Sequence, residues 1–349
     1  MRKRFWLGLA LLLITGMLFV AVLGCGGDEE PAGENGDNGQ AQEEKVRVGV
    51  IYSVADPARA GGWDRAQFVG HQLLEEEYGW EISIAEAVDF PKLAETAAEF
   101  AENGYDIVVF TSSGHTDAWM EVAPQYPDTW FVMMSVADTL PECDNAVAWS
   151  PDMYVYGTMV GAVAAMASES GTIGAIGGVP IPALTLMYSG IVEGARAINP
   201  DTKVLISWVG DWDDVAKHSE VTRLQTEQGA DVIFVVTGNA TKGVYDGAEA
   251  GGALGIGYAA DWYDDAPNAV LTSVIVDTPP MYKELAELYL AGNLKAEIHT
   301  LTAANFSLAD FRGKLPDKEA EIKEVVTQIQ NGEKEIPRVI HDVEKWSNQ

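Results

Sequence analysis

"ADVIFVVTGNATKGVYDGAEAGGALGIGYA", residues 230–259, carries the decisive pattern. The uninterrupted apolar run at 230–237 reads as a strand buried on both faces. Residues 242–250 read as a helix, and "ALGIGYA" at 253–259 reads as a second buried strand. Strands that alternate with helices argue for a parallel sheet with helices on both faces. The same rhythm extends in both directions. Upstream of this unit, strands are expected at 171–178 and 203–210, with helices at 153–168, 184–198 and 214–228. Downstream, "AVLTSVIV" at 269–276 reads as a strand and 281–291 as a helix. Nearer the N-terminus, strands are expected at 46–52, 80–85, 105–111, 129–136 and 146–150. A helix follows the first of these, with Asp64 as its N-cap and Gly79 as its stop. Its apolar face is read from Ala66, Val69, Gly70 and Leu73, which leaves His71 on the surface. Residues 91–103 form the next helix, ending at Gly104.

The series makes two runs, about 46–150 and 151–276, and each reads as one doubly wound α/β lobe. Two such lobes suggest a cleft between them. Ligands of these sheets bind beyond the carboxyl ends of the strands. The loops that matter therefore lie at 53–64, 111–117, 178–184, 210–214, 237–242 and 259–265. They are rich in aromatic, acidic and small hydrogen-bonding residues, a set suited to a flat polar heteroaromatic ligand. Trp63 and Trp212 occupy similar places, one in each lobe, after a strand and a glycine and before a helix. Closure would bring the two indoles onto opposite faces of one ring. Asp64, Ser113, His115, Asp211, Gly238, Asn239 and Asp261 are the expected polar and backbone contacts around it.

The 349 residues are 47% hydrophobic and include ten tryptophans, enough for a substantial core. The formal net charge of −31 argues against nucleic acid, whose phosphates need a basic stripe. Residues 1–24 read as a targeting segment: Arg2, Lys3 and Arg4 precede a long apolar run that ends in "VLGC". That ending resembles a lipoprotein box, which implies cleavage before Cys25, lipid attachment to its sulfur, and a domain facing the extracytoplasmic side. A retained transmembrane anchor is the alternative, and it leaves the domain on the same side. Residues 26–45 hold seven acidic groups and no large apolar side chain, so they read as a flexible tether. Lipidation would leave Cys143 as the one free thiol, expected to serve packing.

Enzymatic chemistry has little support. "GTIGAIGG" at 171–178 has the wrong glycine spacing for a dinucleotide fingerprint, and the chain has no P-loop and no nucleophile elbow. The five histidines are too scattered for a zinc site. Adjacent carboxylates such as Asp213-Asp214 and Asp264-Asp265 read as a helix start and a solvated loop. No cofactor is expected.

A series of segments in fixed order carries a family resemblance: "GGWDRAQ", "YDIVVFTSSG", "IGAIGGVPIP", "GARAINPDTKV", "SWVGDWDD", "GADVIFVVTG" and "LGIGYAADW". Over about 46–290 the chain resembles the basic membrane protein, or PnrA-like, substrate-binding lipoproteins of ABC importers. The resemblance implies a type I periplasmic-binding-protein fold, with two lobes joined by three crossovers at a hinge. It also implies that about 277–299 returns to the first lobe; the placement of 300–349 stays open. It implies a small-molecule ligand (a purine base, a nucleoside or a flavin) held between aromatics at the positions of Trp63 and Trp212. Permease and ATPase subunits would be the partners. A membrane sensor of the same fold is the competing function. The family's paired aspartates for sugar hydroxyls read "GYAAD" here, with Ala259 at the first and Asp261 at the second. This shifts weight toward a free base. The "DxGxxxDxSFN" motif likewise becomes "DPARAGGWDRA".

Overall fold

The computed structural model describes residues 45–348; the leader, Cys25 and the tether as far as residue 44 lie outside the described residues. Valine- and isoleucine-rich runs form the strands, since each such run can be buried on both faces of a sheet. In chain order the first part holds β1 (Arg47–Ile51), α1 (Gly62–Tyr78), β2 (Glu81–Ala85), α2 (Leu93–Glu102), β3 (Ile107–Phe110), α3 (Thr116–Val122), β4 (Trp130–Met133) and β5 (Ala146–Pro151). There follow α4 (Met153–Ala167), β6 (Thr172–Gly177), α5 (Pro182–Ile198), β7 (Lys203–Trp208), α6 (Val215–Glu227), β8 (Val232–Val236), α7 (Thr241–Ala250), β9 (Leu254–Ala259) and β10 (Val270–Val276). The chain ends with α8 (Pro279–Leu290), β11 (Ile298–Leu301), β12 (Phe306–Leu308) and α9 (Pro316–Gln330).

These strands make two six-stranded sheets, ordered β11-β5-β4-β3-β1-β2 and β12-β10-β9-β8-β6-β7. All pairings are parallel except that of β12 with β10. The chain passes between the sheets three times: from β5 to β6, from β10 to β11, and from β11 to β12. Helix α8 packs in the core of the first sheet through Met281, Tyr282 and Leu285. Helix α9 packs in the second through Ile322, Val326 and Ile329. Beyond α9 the chain crosses the second lobe: Tyr154 donates to the Pro337 carbonyl, and the Trp208 indole donates to that of Val343. Among the described residues no helix is long and apolar enough to cross a membrane.

Two expectations about α1 need correction. The helix starts at Gly62 with Gly61 as its N-cap, so Asp64 lies within the first turn and caps nothing. Its buried face is Ala66, Gln67, Gly70, His71 and Leu74, whereas Val69 is half exposed. His71 is therefore interior, and burial lowers its pKa to about 4. Polar groups can line this face because partners distant in sequence satisfy Gln67. Its amide donates to the Met134 carbonyl and accepts from the Tyr282 hydroxyl. Gly79 ends the helix in the left-handed conformation, as expected, with φ 67°. Cys143 is half-buried beside the core that α2 and α3 cover.

Helices α4 and α5 cross through glycine. A Cβ on Gly157 would stand 1.9 Å from the Met187 carbonyl oxygen, and one on Gly161 would stand 2.1 Å from that of Ile191. From the other side, Gly190 and Gly194 meet the carbonyls of Tyr154 and Thr158 at 2.1 and 2.2 Å. The two backbones thus touch, and no side chain can be inserted without parting the helices. Gly161→Ala is expected to lower the unfolding free energy by about 1–3 kcal/mol, the scale of overpacking. Urea unfolding followed by tryptophan fluorescence would measure it, and an unchanged midpoint would show that the crossing yields freely.

Candidate functional site

The start of α1 stands against the strand ends of the second lobe. A Cβ on Gly62 would lie 1.7 Å from the Tyr258 carbonyl oxygen, at the end of β9. One on Gly61 would lie 2.4 Å from the Thr237 carbonyl oxygen and 3.3 Å from the Gly238 Cα, just beyond β8. Only glycine lets these backbones approach so closely. The lobes are therefore closed on each other at this point. The positive end of α1 faces carbonyl oxygens there, a favourable alignment.

The neighbouring side chains extend the contact. Arg65 reaches across to Asp265 at 2.8 Å, with its guanidinium 4.2 Å from the Trp262 ring centroid. Trp63 donates its indole N–H to the Thr111 carbonyl at 2.6 Å, and the Thr111 hydroxyl donates to the Ile51 carbonyl at 2.8 Å. This ties the indole to the ends of β1 and β3. The ring is half-buried against the main core of the second lobe. Trp212 is half-buried against that same core, from the loop between β7 and α6. One face of its ring lies over Gly178, where a Cβ would meet ring atoms at 2.3 to 2.8 Å. Among the described residues no aromatic ring pair includes either indole.

Carboxylates of opposite lobes meet electrostatically here. Burial pushes the Asp64 carboxyl up to about 7, and the charge of Asp213 across the contact pushes the same way. Asp213 accepts from the Asn239 backbone N–H at 2.7 Å, which fixes the loop after β8. The Gly238 N–H donates to the Trp212 carbonyl at 3.0 Å, which joins the two loops of the second lobe. The Asn239 side chain is exposed.

Several expected contacts are already engaged within the chain. Asp211 accepts from the backbone N–H groups of Asp213 and Asp214 at 2.7 and 2.9 Å, which lowers its pKa. It braces the loop that carries Trp212. His115 is fully buried, with Phe90 and Phe110 edge-on and its Nε2 2.9 Å from the Ser53 hydroxyl. Burial lowers its pKa to about 4, so the ring is neutral. Ser113 lends its carbonyl to the Thr116 hydroxyl at 2.8 Å. Asp261 is ion-paired with Arg312. The structure thus brings Trp63, Asp64, Trp212 and Gly238 to the interlobe contact. Asp211 braces the loop that carries Trp212, while Ser113 and His115 are engaged with Thr116 and Ser53 within the first lobe. Sequence reasoning missed Arg65, Asp213, Tyr258, Asp265 and Arg312. All act through partners far away in the chain, and the acidic loops were the one available signal. Among the described residues no cluster of His, Cys, Asp and Glu has a metal-holding arrangement.

Comparison with known proteins gives consistent results. A family model described as ABC transporter substrate-binding protein, PnrA-like, matches residues 47–309. A purine-binding protein of Brucella abortus is 29% identical over 261 residues, which cover 73% of this chain and 72% of that protein. An uncharacterized lipoprotein of Pyrococcus abyssi is 28% identical over 319 residues, covering 86% of this chain and 75% of its own. Among solved structures, an ABC transporter solute-binding protein from Conexibacter woesei superposes with a TM-score of 0.70 at 24% identity. That match covers 85% of this chain and all of the other, and it shows the shared type I periplasmic-binding-protein fold.

Proposed function

We propose, from the premise that this chain belongs to the PnrA-like family of ABC transporter substrate-binding proteins, that it captures a purine base, alone or within a nucleoside, between Trp63 and Trp212. The family binds and delivers solutes, and the chain is not an enzyme. The observation that carries the purine reading is the placement of the two indoles. Trp63 is the second residue of α1 and is tied by its indole N–H to Thr111 in the first lobe, while Trp212 lies in the loop after β7 of the second; both are half-buried, and among the described residues neither ring has an aromatic partner, which leaves them suited to stack on a ligand. Stacking suits a flat ring, and polar loops supply its edges. The purine-binding relative from Brucella abortus supports the choice of ring. On this reading the ligand enters an open cleft, stacks on one indole, and is covered when the lobes close. Closure excludes water and strengthens the polar contacts. Cys25 would anchor the protein by lipid to the extracytoplasmic face, where the closed form would meet its permease.

Native mass spectrometry of the purified protein with a panel of purine bases, nucleosides, flavin and sugars tests the reading. One purine bound per chain is the expected result. A protein that takes up a sugar or a flavin and no purine would contradict it.

Asp64 adds a pH dependence. In the closed arrangement its carboxyl keeps its proton up to about 7, against an ordinary value of 3.8 for one in water. Closure therefore takes up a proton between these values. It is favoured at low pH, and that advantage is lost as pH rises toward about 7. Ligand affinity is expected to fall by at most about tenfold per pH unit from pH 5 to 7 and then to level off. Calorimetric titration would show the slope, and Asp64→Asn should flatten it. A slope that survives in Asp64→Asn would assign the titration to another group.

A further inference from the structure

Closure brings a cation of the first lobe onto the second. Arg65 stands one turn into α1, where its backbone N–H donates to the Gly61 carbonyl at 3.1 Å. Its guanidinium reaches the other lobe. Nη1 lies 2.8 Å from Asp265 Oδ2, and the guanidinium carbon lies 4.2 Å from the Trp262 ring centroid. Both partners belong to the segment after β9. Nη2 keeps one long contact with its own lobe, to the Arg59 carbonyl at 3.5 Å. The receiving surface is firm. Trp262 is buried, packs edge-on against Tyr245 at 6.0 Å, and donates its indole N–H to the Tyr258 carbonyl at 3.1 Å. That carbonyl is the one Gly62 approaches. The Arg65 side chain is 19% exposed and that of Asp265 36%, so water screens this pair less than one on an open surface. The same contact sets Asp64 of the first lobe against the charge of Asp213 of the second. Once both are ionised, that approach opposes closure, and Arg65 supplies an attraction beside it.

We propose that Arg65 and Asp265 form an interlobe latch: they hold α1 to the segment after β9, and so set the closing equilibrium and the grip on any ligand. Arg65 is a positioning residue, which acts through closure and not by touching the ligand. The inference rests on closure of the lobes and not on the choice of a purine, since every member of the latch belongs to the chain. A partly buried ion pair and a cation over an indole are each modest, and together they suit a change of about tenfold in the closing equilibrium.

Hydrogen exchange read by mass spectrometry, with no ligand added, tests this. Peptides covering 60–66 and 258–266 report opening of the contact, while peptides covering β3 and β8 report the fold of each lobe. R65Q is expected to exchange about tenfold faster at the contact and no faster in β3 and β8. D265N should exchange about threefold faster at the contact, because it keeps the cation over Trp262. The R65Q/D265N double variant should be no faster than R65Q, and R65K should recover part of the protection. Unchanged exchange at the contact in both single variants would overturn the latch. So would a double variant in which the two effects multiply. Faster exchange in β3 and β8 as well would assign Arg65 to the fold of α1 and overturn it too. None of these outcomes bears on which ring is bound, so the latch and the purine reading fail separately.

Discussion

Gly62→Ala should all but abolish ligand capture while leaving the unliganded protein as stable as before. The new Cβ would stand 1.7 Å from the Tyr258 carbonyl oxygen, far inside any real contact. Both groups are backbone, and neither can swing aside. Gly62 is the first residue of α1, and Tyr258 lies in β9, so both are anchored in their lobes. Cores of this density transmit such a clash rather than absorb it. The remaining escape is for the lobes to stay apart. If the closed population falls to about one in a hundred, apparent affinity falls about 100-fold. An open form has no clash, so the thermal midpoint without ligand should shift by the equivalent of no more than about 0.5 kcal/mol. Calorimetric titration and thermal unfolding, run together, separate the two effects. Wild-type affinity in Gly62→Ala would show that binding does not need this contact. A large loss of stability would show that the glycine serves the fold of one lobe rather than closure.

Trp63→Ala and Trp212→Ala should each weaken purine binding by about 1–3 kcal/mol, or roughly 5- to 150-fold. The two differ in what else they disturb. Trp63 also ties Thr111 to α1 through its indole N–H. Trp63→Phe, which keeps a stacking face but loses that donor, should recover part of the affinity. Trp212 has one face on Gly178 and uses its carbonyl, not its ring, to hold Gly238. Its substitution should keep the backbone bond to Gly238 and remove stacking together with the ring's packing on Gly178 and the second-lobe core. If the indoles cover opposite faces of one ring, the double variant should bind more weakly than either single one. Unchanged affinity in both single variants would remove the clamp.

Most of the strands were legible because a doubly covered parallel strand must be apolar along its whole length. Residues 107–110, 173–177 and 232–236 are buried almost without exception. Short elements escaped. Helix α3 and strands β11 and β12 have too few apolar residues in too little length for a periodic signal. Helix α9 does carry one, in Ile322, Val325, Val326 and Ile329, and it was overlooked within a polar stretch. The face of α1 was misjudged for a different reason. Gln67 and His71 replace apolar residues in the interior, and Gln67 is satisfied there by Tyr282 through a bond spanning 215 residues. Sequence spacing carries no trace of such a partner.

The candidate site was legible in part for the same reasons. Loops after strands are local features, so the acidic and aromatic stretches around Trp63, Trp212 and Asp261 stood out. Their pairing is long-range. The Arg65–Asp265 bridge spans 200 residues, and Arg312 reaches Asp261 from beyond the third crossover. Asp261, read from its loop as a ligand contact, is held by Arg312 in the folded chain. The glycines of "AGGWDRA" find their reason in the carbonyl oxygens of Thr237 and Tyr258, far along the chain in the other lobe.

The most direct test is a crystal structure of the protein grown with adenine. The expected result is one purine ring lying between the Trp63 and Trp212 indoles, parallel to both, with Asp64 at its edge and Gly62 still against the Tyr258 carbonyl. A ring bound elsewhere, or one that touches only one of the two indoles, would contradict the clamp.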